Sequence, residues 1–83
     1  MQLQGNVTMV TGGASGIGRG ICVVMAERGA DVAVVDIDLE GAKTVEGELA
    51  EYGHRVKGFR ADVTKKSELE ELVEAVVAHF GRI

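Results

Sequence analysis

Three groups of residues in this chain have the types and spacing for ligand chemistry. The first is the run Thr11-Gly12-Gly13-Ala14-Ser15-Gly16-Ile17-Gly18. An apolar stretch, Val7-Thr8-Met9-Val10, leads into it, and an apolar helical pattern leads out. A strand that empties through glycines into a helix N-terminus forms a pocket for an anion, because the first-turn N–H groups point outward and the helix dipole adds positive potential. Gly12 suits the positive φ of a tight turn. Gly16 has no Cβ to hold a pyrophosphate off the backbone, and Gly18, one position into the helix, is expected to let helix and strand pack closely. A glycine-rich turn with no ligand is the alternative; the following acid argues against it. That acid, the second group, is Asp36, about 20 residues beyond the loop. A carboxylate there can accept hydrogen bonds from both hydroxyls of an adenosine ribose, and it repels a 2′-phosphate, which favours NAD(H) over NADP(H). Its alternatives are a turn residue or the N-cap of the next helix, a role Asp38 fills. The third group is Asp62-Val63.

These residues need strands and helices to position them. The chain reads as three successive strand-then-helix units. The first is strand Val7–Thr11 and a helix from Ser15 to about Arg28, stopped by Gly29. The second strand, Asp31–Val35, is apolar on both faces, as a strand covered on both sides should be. A second helix follows Asp38 and runs to about Tyr52, with Leu39, Ala42, Val45, Leu49 and Tyr52 as its apolar stripe and Gly53 as its stop. The third strand spans roughly Arg55–Arg60. The third helix carries Leu69, Leu72, Val73, Val76, Val77 and Phe80 at helical spacing, and Ser67-Glu68-Leu69-Glu70 reads as its capping box. Alternating strands and helices imply a parallel sheet. Right-handed crossovers give strand order 3-2-1, with the first two helices on one face and the third on the other. The fold class is α/β: one mononucleotide-binding half of a doubly wound Rossmann-type sheet, with residues 1–83 as the N-terminal part of a single dinucleotide-binding domain.

Composition narrows the partners. The chain has 83 residues, 46% of them hydrophobic, and a net charge of −4. An acidic balance argues against nucleic acid or an anionic membrane as partner. The lone Cys22 lies among Ile21, Val23 and Val24 and reads as a small buried hydrophobe. His79 sits in the last turn of the third helix with no visible catalytic partner. No stretch is apolar enough to span a bilayer, and Met1 to Gly5 lack the pattern of a signal peptide, so a cytoplasmic location is expected.

The loop is neither G-x-G-x-x-G, because Ala14 and Ile17 interrupt that spacing, nor a Walker loop, because Arg19 and Gly20 follow Gly18. Its pattern T-G-x-x-x-G-x-G, with Asp36 and Asp62-Val63 in order behind it, resembles the short-chain dehydrogenase/reductase family over essentially the whole chain. The resemblance implies that Asp62 takes the exocyclic amino group of adenine and that the Val63 amide reaches a ring nitrogen. A cap for the third helix is the other reading of Asp62. It implies that Ser15, where NADP-using relatives often carry a basic residue, and Ile37, where no arginine follows Asp36, both suit NAD. Gly12, Ser15, Gly16, Ile17, Gly18, Asp36, Ile37, Asp62 and Val63 are therefore the expected cofactor-binding set. The family's Asn-Asn-Ala-Gly segment, catalytic serine and Tyr-x-x-x-Lys pair are absent; Tyr52 has Val56 where the lysine would stand. The resemblance thus implies the NAD(H)-binding portion of an oxidoreductase moving a hydride between nicotinamide and a carbonyl or secondary alcohol, homo-oligomeric when complete. A non-catalytic module that senses NAD(H) or holds a partner is the alternative. A sheet ending at its first strand leaves that edge unpaired and the third helix under-buried, so these residues are expected to be completed by further chain.

Overall fold

A central strand with no polar side chain inside it organises the molecule. The computed structural model describes residues 5–82. Met1 to Gln4 and Ile83, which bear on the leader and on the approach to a further strand, lie outside the described residues. Five elements fall close to the sequence reading: β1 (Val7–Thr11), α1 (Gly16–Glu27), β2 (Asp31–Asp36), β3 (Val56–Arg60) and α3 (Lys66–Phe80). In β2 the run Val32-Ala33-Val34-Val35 is at most 1% exposed. It is buried on both faces because parallel neighbours flank it and helices cover it. β1 and β3 pair with it in parallel, Thr8 opposite Val32 and Val34 opposite Gly58. The order β1-β2-β3 is the expected 3-2-1 order read from the other edge.

Side-chain alternation along β2 builds two cores. Val32 and Val34 face α1 and α2 (Leu39–Glu48) and pack with Val10, Cys22, Ala26 and Val45. Ala33 and Val35 face α3 and pack with Leu72, Val76 and Phe80. Each fully buried valine contributes about 1.5–3 kcal/mol through removal from water. Gly58 brings β3 hard against α2, since a Cβ there would come within 2.9 Å of the Ala42 carbonyl. Cys22 is buried, as expected, and burial pushes its thiol pKa up.

Three expectations need correction. Helix α2 stops at Glu48, and a 3-10 helix over Ala50–Arg55 takes the place of its last turn. The Tyr52 amide bonds the Leu49 carbonyl at 3.0 Å in the tighter i−3 pattern, and Gly53 leaves helical geometry altogether at φ 58° and ψ −134°. Leu39 is exposed, because it opens the helix at the rim; Ala42, Val45 and Leu49 carry the stripe. Ser67 does not cap α3. The turn closes earlier, with the Lys65 amide on the Asp62 carbonyl at 3.1 Å, so Lys65 is the N-cap position and no side chain caps it.

The six apolar residues expected on α3 divide into two rows. Leu72, Val76 and Phe80 face the sheet, while Leu69, Val73 and Val77 are 37–41% exposed. α1 likewise leaves Ile17, Ile21 and Val24 exposed. At the far end of α3, Arg82 ties three segments together. Its guanidinium bonds the Asp31 carboxylate at 2.8 Å and the carbonyls of Gly5 and Phe80 at 2.9 and 3.1 Å. No helix among the described residues is long and apolar enough to cross a membrane.

Candidate functional site

The carboxyl ends of the three strands open into a cleft of about 260 Å³. Gly12, Asp36, Ile37, Asp62 and Val63, five of the nine residues singled out from sequence, line it together with Thr11, Val35 and Ala61. The other four, Ser15, Gly16, Ile17 and Gly18, belong to the turn that Gly12 opens and to the start of α1. Open α/β sheets bind ligands outside the carboxyl ends of their strands, because loops there are free to vary while the sheet is rigid.

The turn is fastened from several sides. Gly12 takes φ +68°, a left-handed conformation that suits glycine. The Gly13 amide donates to the Val35 carbonyl at 3.0 Å, which extends the β1–β2 pairing into the loop. Gly13 also lies against the core, since a Cβ there would come within 2.8 Å of Val34 Cγ1. Gly18 presses on the Gly12 carbonyl so closely that a Cβ would overlap it. Its close approach is thus to the loop, not to the body of the strand. Gly16, at φ +22°, has open space where a side chain would project.

Ser15 occupies the N-cap position of α1 without capping it. Its hydroxyl donates to the Gly12 carbonyl at 3.3 Å, and no side-chain cap reaches the first turn. That turn also carries no acidic residue. The amides of Gly16, Ile17 and Gly18 are therefore donors that the helix cannot use internally and that no side chain occupies. Ile17 is 85% exposed beside them.

Asp36 holds two loops at once. Oδ2 accepts the Ala14 amide at 3.2 Å and Oδ1 accepts the Asp38 amide at 3.0 Å. A carboxylate offers about four lone-pair sites, so each oxygen retains capacity for one more donor. Asp38 caps α2, accepting the Gly41 amide at 3.1 Å. Asp36 is thus not the cap, although its bond to Asp38 is a local turn contact of the kind aspartate favours.

Asp62 is equally engaged. Oδ1 accepts the Thr64 hydroxyl at 2.6 Å and the Thr64 amide at 3.1 Å. These bonds hold its carboxyl below the usual aspartate range. It does not cap α3. Its own amide donates to Glu68 Oε1 at 3.0 Å, and the same oxygen accepts Arg60 Nη1 at 2.7 Å. Sequence reasoning passed over Glu68 as a site residue. The signal was its place at N3 of the helix, where a glutamate reaches back to free amides. The nearby cations are all paired: Arg19 makes a two-pronged bond to Glu48 at 2.8 and 2.9 Å, turned toward α2, and Arg60 bonds Glu68. His79 lies away from the cleft, with Nε2 2.9 Å from the His54 carbonyl and its ring edge-on to Phe59 and Phe80. No cluster of three or more metal-ligating side chains occurs among the described residues.

Comparison with known proteins gives the family of the chain. The family model described as short chain dehydrogenase matches residues 6–83. The chain is 44% identical to a cyclohexanol dehydrogenase of Rhodococcus, over 100% of this chain and 35% of that protein. It is 40% identical to a D-threitol dehydrogenase of Mycolicibacterium smegmatis, over 99% of this chain and 32% of that protein. Among solved structures, a 3-ketoacyl-(acyl-carrier-protein) reductase from Brucella melitensis, complexed with NADH, superimposes with a TM-score of 0.89 at 36% identity. That match covers 99% of this chain and 33% of the other. A hydroxysteroid dehydrogenase from Escherichia coli superimposes with a TM-score of 0.92 at 32% identity, over 99% and 34%. The chain spans about a third of the length of these relatives.

Proposed function

The chain belongs to the short chain dehydrogenase family, and on that premise we propose that it binds the adenosine and pyrophosphate portion of NAD(H) for an oxidoreductase acting on small alcohols and carbonyls. When bound, the nicotinamide supplies or accepts the hydride. The residues described here bind and orient the opposite end of the cofactor.

The observation that carries the reading is the Asp36 carboxylate. It lies in the cleft wall, fixed by two backbone amides and with one acceptor site left on each oxygen. A ribose diol presents two donors to such a pair. A 2′-phosphate in the same place would meet a like charge, at a cost of about 4 kcal/mol per unit pair near 4 Å for an effective dielectric of 20. Arg19 and Arg60, which could relieve that repulsion, are bonded to glutamates. Ser15 and Ile37 add no cation, so NAD(H) is the preferred form.

The remaining roles follow the same logic. The open ground at Gly12 and Gly16, with the first-turn amides of Gly16, Ile17 and Gly18, fits a pyrophosphate. Asp62 and the Val63 amide would take the adenine edge, and Ile37 would cover its face. Residues 1–83 would be the N-terminal part of one dinucleotide-binding domain. In support, the outer edge of β1 pairs with no strand among the described residues, and two apolar rows stay exposed on α1 and α3. A homo-oligomeric enzyme completed by further chain accounts for both features.

The test is a pair of titrations with NADH and NADPH on the full chain. The unmutated protein should bind NADH more tightly, and Asp36→Ala should narrow the ratio of the two dissociation constants by tenfold or more, about 1.4 kcal/mol. Equal affinity for both cofactors in the unmutated protein contradicts the role given to Asp36.

A further inference from the structure

Arg60 and Asp36 are register partners at the ends of β3 and β2. Neighbouring strands lie roughly 4.8 Å apart, and paired positions send their side chains to the same face. That face is the one covered by α1 and α2. Alternation gives Asp36 the same side as Val32 and Val34, and gives Arg60 the side of Val56 and Gly58. By backbone position, therefore, Asp36 is the carboxylate that Arg60 would ordinarily pair with.

The guanidinium goes elsewhere. It turns round the end of the strand to Glu68 on α3, the helix of the opposite face, with Nη1 2.7 Å from Oε1. Among the described residues no ion pair joins Arg60 to Asp36. The Glu68 carboxylate is not a loose surface partner. Its side chain is only 23% exposed, the same oxygen accepts the Asp62 amide at 3.0 Å, and Lys65 Nζ lies 3.8 Å from its other oxygen. Glu68 is thus held from two directions, by the Asp62 amide and by Lys65, before Arg60 reaches it.

We propose that Glu68 is a specificity-determining residue: by anchoring Arg60 on the α3 side, it leaves Asp36 free to discriminate against NADP(H). The inference rests on the reading of Asp36 as the ribose acceptor. Released from Glu68, the guanidinium can return to its register partner. There it would occupy the acceptor sites a ribose diol needs, and it would present a fork of donors suited to a 2′-phosphate. One carboxylate on the third helix would then set how the carboxylate at the end of the second strand behaves.

The experiment measures NADH and NADPH dissociation constants on the full chain for the unmutated protein and five variants. Glu68→Ala removes the anchor. Glu68→Gln removes only its charge and keeps an acceptor for the Asp62 amide, which covers the case in which the alanine variant misfolds. Arg60→Met and Glu68→Ala/Arg60→Met remove the guanidinium. Asp36→Ala tests the premise. Both Glu68 variants should lower the preference for NADH about five- to tenfold, whereas the two variants lacking Arg60 should keep the unmutated ratio. An unchanged ratio in both Glu68 variants overturns the proposal, as does an equal fall in the double variant, since the effect would then not pass through Arg60. If Asp36→Ala leaves the ratio unmoved, the ribose reading fails and this inference falls with it. If Asp36→Ala narrows the ratio and the Glu68 variants do not, only the role of Glu68 is lost.

Discussion

The starts of α1 and α2 are built on the same plan, a strand leading through a short loop into a helix, yet they end in opposite states. At α2, Asp38 caps the Gly41 amide and Glu40 adds a carboxylate to the first turn. At α1, Ser15 turns its hydroxyl back to Gly12, and the first turn contains no acid. The second helix satisfies its own terminus; the first leaves its donors and positive potential available to an anion from outside. The loop into α1 is nonetheless the more firmly fastened of the two. Gly13 bonds β2, Ala14 bonds Asp36, and Gly18 rests on Gly12. Binding an anion calls for a rigid loop around an unfilled position. Capping calls only for one well-placed side chain.

The contrast can be broken most severely at Gly18. A methyl group there overlaps the Gly12 carbonyl, so Gly18→Ala should destabilise the protein by about 3 kcal/mol or more and remove measurable NADH binding. Gly20→Ala, in the same helix with open space around it, should raise stability by about 0.5–1 kcal/mol. Denaturant midpoints for the pair measure the difference. Gly16→Val comes next. The site is spacious but its φ is positive, so a cost of about 1–2 kcal/mol is expected with the fold retained. NADH affinity should fall at least about tenfold, and an unchanged titration would place the pyrophosphate elsewhere.

On the α2 side, Asp38→Ala should cost about 1 kcal/mol through loss of the cap, with little change in NADH affinity. A large affinity loss would mean that the two helix starts are not independent. The smallest effect concerns Glu46, which joins α2 to β3 by accepting the Gly58 amide at 2.6 Å. Burial pulls its pKa up, but the Gly58 amide and Lys43 outweigh burial and leave it below its ordinary value of 4.5. A folded-state value below the unfolded one gives a contribution that is complete above about pH 4.5. It is lost as pH falls through the folded value. Stability measured from about pH 6 down to about pH 3 should therefore fall more steeply in the unmutated protein than in Glu46→Gln.

Much of this was legible in the residues themselves. The valines of β2 announced a strand buried on both faces, and that one element dictated a parallel sheet with helices on both sides. Gly12 and Gly29 fell where positive φ was needed. Asp38, followed by a helical pattern, was a cap by local chemistry alone. Two of the misreadings share a cause. Ser67 looks like a cap because serine often is one, but the bond from Lys65 back to Asp62 closed the turn before the chain reached it. Tyr52 continues α2 on paper, yet the chain after Leu49 tightens into a 3-10 helix. In both places a backbone bond formed a few residues away outweighed a side-chain preference worth about 1 kcal/mol.

The sequence by itself determined the order of strands and helices and the two-faced burial of the sheet, because each depends on periodicity or on a residue's own conformational range. Of the five residues that meet in the cleft, Gly12 and Asp36 followed from the loop and its spacing, and Ile37, Asp62 and Val63 from the family resemblance. Only the tertiary structure decided how Asp36 and Glu68 are used. The bond from Ala14 to Asp36 spans 22 residues, and Arg60 passes its register partner for a glutamate on another element. Partnerships of this kind are set by where the strand ends stop and which side chains can reach round them. No local pattern carries that information, since a carboxylate has the same hydrogen-bonding capacity wherever it stands, and packing alone selects the donor that fills it.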